Sequence, residues 1–112
     1  MTQPDIQLIT TDLDGTLVQN ASDVSEANIA AIKAALERGI EVCIATGRSH
    51  PSASQFARRL GIEESLIISF NGAMVRRANA DEPLRHVPVP ADEASEIVHY
   101  ARENGYNLFY FV

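Results

Sequence analysis

Two carboxylates separated by a single residue, Asp12 and Asp14, lie in the run Thr11-Asp12-Leu13-Asp14-Gly15-Thr16-Leu17. The run follows Ile6-Gln7-Leu8-Ile9-Thr10, a short apolar stretch that reads as a buried strand. In extended chain, residues i and i+2 point the same way, so both carboxylates face one site, roughly 6–7 Å apart at Cα. Like charges that close repel unless a cation or a shared proton neutralises them. One can then serve as a nucleophile and the other as an acid, with a divalent metal between. Two other readings exist. Asp14-Gly15 between apolar runs is also a hairpin signal. A calcium loop fits poorly, because Thr16 and Leu17 replace a ligand and the loop glycine, and Asp23 stands where a bidentate Glu belongs.

The elements that position this pair read as β-α-β-α-β. Ser25 is a candidate N-cap, Ile29, Ile32 and Leu36 recur at helical spacing, and Gly39 ends the pattern. Ile40 to Ala45 reads as a second strand. Pro51 opens a second helix that carries Ala53, Phe56, Ala57 and Leu60 and closes at Gly61. Leu66 to Phe70 reads as a third strand. Short connections argue for parallel strands with right-handed crossovers. Beyond Gly72, Met74-Val75 and Leu84 to Val89 flank a polar stretch and predict a hairpin. A third helix is expected from Asp92 to Asn104, with Ala94, Ile97, Val98 and Ala101 on one face. Tyr106 to Val112 reads as the start of another strand.

Each of the first three strands ends in a polar residue: Asp12, Thr46 and Asn71. In a parallel sheet these lie along the carboxyl edge, where open α/β folds bind ligands. Thr46-Gly47-Arg48 taken alone is also an ordinary strand-to-helix turn, and Asn71-Gly72 an ordinary turn into a hairpin.

The Asp12-to-Leu17 run resembles the first signature of the haloacid dehalogenase-like phosphohydrolases, Asp-x-Asp-Gly-Thr-Leu/Val after a hydrophobic strand. Ala45-Thr46-Gly47-Arg48 and Phe70-Asn71-Gly72-Ala73 together resemble the Cof-type branch, subclass IIB. The resemblance implies Asp12 as nucleophile and Asp14 as general acid/base, with a Thr16 hydroxyl bracing Asp14. It implies phosphate or substrate contacts at Leu13, Thr46, Gly47, Arg48, Asn71 and Gly72, and Mg²⁺ held by Asp12 and Asp14. Gly47 would let backbone N–H groups approach a phosphate, the following helix would add its dipole, and Arg48 would offer a fork of donors. The implied fold is a partial Rossmann-like, three-layer α/β/α core with a parallel sheet over residues 1–87. Residues 88–112 would begin an α/β cap domain. The implied activity is Mg²⁺-dependent hydrolysis of small phosphorylated metabolites, such as sugar phosphates, through an aspartyl-phosphate. A phosphomannomutase-like phosphotransferase and a catalytically incompetent N-terminal fragment are the alternatives.

Composition bounds the rest. The hydrophobic fraction is 46% and the charged fraction 21%, as in an ordinary globular chain. A net charge of −6 argues against a nucleic-acid partner but not against a small phosphorylated substrate, because a bound metal reverses the local field. No apolar run approaches membrane-spanning length. Met1 to Asp5 lacks the blocks of a signal peptide, which points to the cytoplasm. Nothing in the sequence sets the oligomeric state. Cys43, the single cysteine, reads as an inert buried thiol. His50 is expected near the site mouth, and none of the histidines has a partner at metal-ligand spacing. Relatives carry a Lys and a late acidic pair beyond the cap. Here the only Lys is Lys33, and Asp81-Glu82 falls in a hairpin tip. The chain is therefore expected to be the N-terminal portion of a larger phosphatase, with its motif strand exposed along one side and prone to association.

Overall fold

The computed structural model describes residues 5–20 and 23–111. Met1 to Pro4, Ala21, Ser22 and Val112 lie outside the described residues, and the signal-peptide reading of the N-terminus falls mostly there. The elements are β1 (Leu8–Thr11), α1 (Glu26–Glu37), β2 (Glu41–Ala45), α2 (His50–Leu60), β3 (Leu66–Ser69), β4 (Met74–Arg77), β5 (Arg85–His86) and α3 (Ala91–Glu103). One sheet runs in the order β1-β2-β3-β4-β5. β1, β2 and β3 pair in parallel, and β4 and β5 fold back antiparallel as the expected hairpin. The fold is a Rossmann-like α/β arrangement with a parallel-dominant sheet.

Local chemistry explains the helices. Ser25 caps α1 by accepting the Asn28 N–H at 3.2 Å, and Glu26 sits in the first turn, where the helix dipole favours a carboxylate. α2 starts at His50, one residue earlier than Pro51 suggests, with Pro51 inside the first turn. α1 and α2 touch each other as well as the sheet, so they lie on one face. Ile32, Phe56 and Leu60 meet Val42, Ile44 and Ile67 there, and Leu13, Val18 and Val24 complete the core.

β1 lies at the sheet edge and pairs only with β2. Leu8 at 54% and Ile9 at 39% are exposed, as is Ile6 just before the strand, so the stretch read as a buried strand is not buried: β1 has a neighbouring strand on one side only. This matches the expectation of a motif strand open along one side, with unpaired backbone groups beside apolar side chains.

The strand expected from Tyr106 onward does not form; residues 106–111 carry no regular structure. Apolar and aromatic residues favour strands only where a neighbouring strand supplies the ladder. Here Tyr106 N–H closes the end of α3 on Ala101 O at 2.9 Å, and Phe111 packs on Phe70 instead. The third strand also stops earlier than expected: Phe70 leaves the sheet and enters a single left-handed turn, Phe70–Gly72.

Candidate active site

The ends of β1, β2 and β3 are level. Thr11 pairs with Ile44, and Ile44 pairs with Ile67. The next residues along each strand are Asp12, Ala45-Thr46 and Ile68-Ser69, so the polar ends fall on the carboxyl edge of the sheet. Leu13 is fully buried between exposed Asp12 and Asp14. That alternation anchors the chain and turns both carboxylates outward. Leu13 thus contributes a core side chain, and its N–H donates to Asp12 Oδ1 at 2.7 Å. The chain then turns tightly: Val18 N–H and Thr16 N–H both donate to Leu13 O, and Gly15, at φ +80°, donates to Val18 O. A side chain at position 15 would strain this turn.

Thr46 is buried, and its Oγ accepts the Arg48 N–H at 3.1 Å. That bond uses the hydroxyl as an acceptor and leaves its hydrogen to donate elsewhere. Asn71 N–H donates to Thr46 O at 3.2 Å, and Phe70 N–H to Arg48 O at 3.0 Å. Gly47 lies against the Asn71 amide so closely that a Cβ there would stand 2.9 Å from Asn71 Oδ1. Thr46, Gly47, Arg48 and Asn71 therefore form one cluster. Gly72, exposed at φ +97°, closes the turn beside it.

Arg48 ties this cluster to the first loop. Its Nε donates to Asp14 Oδ2 at 2.7 Å and a terminal nitrogen donates to Asp14 Oδ1 at 2.6 Å, a bidentate fork. The other terminal nitrogen reaches Ser52 Oγ at 3.4 Å. The guanidinium carbon stands 4.9 Å from the centre of the Phe56 ring, a cation–π contact. Asp14 is thus braced by Arg48 and not by Thr16. The Arg48 hydrogen bonds hold the Asp14 carboxyl below the ordinary carboxylate range, and the same pair holds Arg48 above its usual value. Asp14 stays half-exposed, so solvent screens the pair. Sequence reading missed Ser52 and Phe56 as partners of Arg48. Part of the signal was present: Ser52 and Phe56 lie four apart on one face of α2, which begins two residues after Arg48.

His50 is not at the site mouth. It is 4% exposed, its Nε2 lies 3.1 Å from Arg77 O, and its Nδ1 lies 3.3 Å from Ser54 Oγ. The carbonyl can only accept, so Nε2 donates there. Burial, first of all, pushes the ring below its ordinary value of 6.5; the Arg77 carbonyl opposes this and Arg76 adds to it. A folded-state pKa below the unfolded one means that the unfolded chain binds more protons as pH falls through 6.5. The stabilisation is complete above that pH and is lost on acidification. Urea midpoints measured from pH 8 to pH 5 are expected to fall more steeply for wild type than for His50→Gln. Parallel slopes would remove His50 from the account. His99 is exposed and pairs with Glu103 on α3. Cys43 is buried beside Thr10 Oγ, as its inert reading requires.

Mg²⁺ wants six oxygen ligands in octahedral array. Among the described residues no three His, Cys, Asp or Glu side chains converge on one point. Asp12 keeps one oxygen beyond its bond to Leu13 N–H, while both Asp14 oxygens are engaged by Arg48. The described residues therefore do not by themselves form a Mg²⁺ site.

Comparison with known proteins bears on the family and the fold. The profile of the haloacid dehalogenase-like hydrolases matches residues 9–112. The 5-amino-6-(5-phospho-D-ribitylamino)uracil phosphatase YitU of Bacillus subtilis (strain 168) is 35% identical over 92 residues, covering 81% of this chain and 34% of that protein. A haloacid dehalogenase-like hydrolase from Bacteroides thetaiotaomicron superposes with a TM-score of 0.83 at 26% identity, over 90% of this chain and 39% of that one. One from B. subtilis gives 0.76 at 32% identity, over 89% and 34%. The chain thus spans only 34% of the length of the curated B. subtilis relative. With Asp12 and Asp14 at the first strand end and Thr46 and Arg48 at the second, the chain belongs to the haloacid dehalogenase-like hydrolase family.

Proposed function

We propose that this chain carries the nucleophile and the phosphate-binding loops of a Mg²⁺-dependent phosphoric monoester hydrolase. Its substrates are small phosphorylated metabolites such as sugar phosphates, and it works through an aspartyl-phosphate. The observation that carries this reading is the Arg48 fork, held at the Asp14 carboxylate beside the exposed Asp12 and the donor-ready Thr46 hydroxyl. In the first step an Asp12 oxygen attacks phosphorus. The bond to the ester oxygen breaks, and that oxygen takes the Asp14 proton. The Arg48 pair disfavours a protonated Asp14, so a substrate phosphate must first draw the guanidinium to itself. Released from Arg48 and set beside the negative charge of the bound phosphate, Asp14 is raised by like-charge repulsion and can carry the proton. In the second step Asp14, now ionised, takes a proton from water. The water oxygen attacks phosphorus, the bond to Asp12 breaks, and inorganic phosphate leaves.

When bound, Mg²⁺ would neutralise charge on the phosphoryl oxygens and the paired carboxylates. The described residues supply too few ligands for us to assign it a step. Residues 1–87 are read as the catalytic core and 88–112 as the opening of a cap. Support comes from α3, which leaves Ile97 and Tyr100 exposed, and from the exposed aromatics of residues 106–111. The reading includes a cytoplasmic setting, and the net charge of −6 supports a small substrate over nucleic acid. The full-length enzyme that contains this chain is expected to hydrolyse p-nitrophenyl phosphate and sugar phosphates with Mg²⁺ and to stop in EDTA. The chain alone is expected to show negligible turnover. Turnover that persists in EDTA, or Asp12-dependent turnover by the chain alone, would contradict the reading.

A further inference from the structure

The turn after β3 is built in an unusual way. Phe70, Asn71 and Gly72 have φ of +51°, +55° and +97° in succession. Left-handed backbone suits Gly, is tolerated by Asn and is an outlier for Phe. Such strain persists only where the surroundings hold it. Here the left-handed path turns two consecutive N–H groups back toward the end of β2. Phe70 N–H donates to Arg48 O and Asn71 N–H to Thr46 O, the carbonyls on either side of Gly47. The Asn71 amide lies close against Gly47 itself: a Cβ there would meet Oδ1 at 2.9 Å and both Cγ and Nδ2 at 3.5 Å. The Thr46–Arg48 peptide segment is therefore held from three directions, and it carries the Thr46 hydroxyl and the Arg48 guanidinium.

We propose that Asn71 is a positioning residue, and that it acts on phosphate through Gly47 by clamping the Thr46–Arg48 loop rather than by touching the substrate. The proposal rests on the reading of Thr46 and Arg48 as phosphate ligands. It accounts for the residue types at both positions. A glycine at 71 would accept φ +55° without strain but would leave the loop unclamped. Any side chain at 47 would collide with the clamp. Asn at 71 and Gly at 47 are thus a matched pair.

The test uses inorganic phosphate titrated into the full-length enzyme that contains this chain, followed by backbone amide shifts, with amide exchange and melting measured in parallel. In wild type, phosphate is expected to shift Thr46, Gly47 and Arg48. Asn71→Gly is expected to melt at or above wild type, because it relieves strain, yet to bind phosphate about tenfold more weakly, a change of ~1.4 kcal/mol. A merely structural Asn71 would lose melting temperature and affinity together. Gly47→Ala is expected to weaken binding further and to speed exchange of the Phe70 and Asn71 amides. The double variant Gly47→Ala/Asn71→Gly should return to the affinity of Asn71→Gly alone, because the collision has gone. Two effects that multiply in the double variant, or an Asn71→Gly chain that binds as wild type, would overturn the clamp. Absence of any phosphate shift in wild type would overturn the phosphate site. The exchange behaviour of Gly47→Ala, restored or not by Asn71→Gly, would still decide the clamp.

Discussion

Asp12→Asn is expected to abolish turnover in the full-length enzyme, with kcat falling on the order of 10⁴–10⁶-fold, the range seen when members of a nucleophilic catalytic unit are removed. The amide has no anionic oxygen for phosphorus, and among the described residues the other carboxylate of the run is engaged elsewhere. Asp14 is turned into the Arg48 fork. The fold should tolerate the change. Asp12 is exposed, and an Asn side-chain oxygen can still accept the Leu13 N–H that Oδ1 now accepts. A melting curve within about a degree of wild type would separate lost chemistry from lost structure. Asp12→Asn enzyme with more than a hundredth of wild-type kcat would remove Asp12 as nucleophile.

Asp14→Asn is expected to cost about 10²–10⁴-fold in kcat, the usual contribution of general acid–base catalysis. The loss should depend on the leaving group. A good one such as p-nitrophenolate needs little protonation, so p-nitrophenyl phosphate should suffer less in the first step than a sugar phosphate. The substitution also frees Arg48 from its bidentate partner. Phosphate, as product or inhibitor, should then bind at least as tightly as to wild type, because it no longer competes with a carboxylate for the fork. Weaker phosphate binding in Asp14→Asn would show that Asp14 holds Arg48 in place for the substrate instead of competing with it.

Sequence reading reached the level row of strand ends because strand and helix periods fix it. Ser25, the 29-32-36 stripe and the apolar strand runs each reported local order that tertiary packing kept. The β4–β5 hairpin followed from the same logic. The Arg48–Asp14 pair was out of reach for a different reason. Its partners lie 34 residues apart and meet only because two loops leave neighbouring strands side by side. Each carried a separate role in the sequence reading, phosphate for one and proton transfer for the other, and nothing local coupled them. His50 went astray because a histidine beside Arg48 looks exposed until the carbonyl of Arg77 on β4 is seen to hold its ring. Phe70 was read as the last strand residue, since nothing in an aromatic signals positive φ. The aromatic run from Tyr106 shows the converse: its propensity was real, but no strand stands beside it.

The central claim is that Asp12 becomes the phosphorylated residue. The direct measurement is to trap the phosphoenzyme. Full-length enzyme is mixed with substrate and Mg²⁺, quenched in acid and treated with borohydride, which reduces an aspartyl-phosphate to homoserine. Peptide mass spectrometry then locates the change. The account expects homoserine at position 12, and its disappearance when the reaction is run with Asp12→Asn. Homoserine at position 14, or a phosphate carried on any other residue while turnover proceeds, would contradict it.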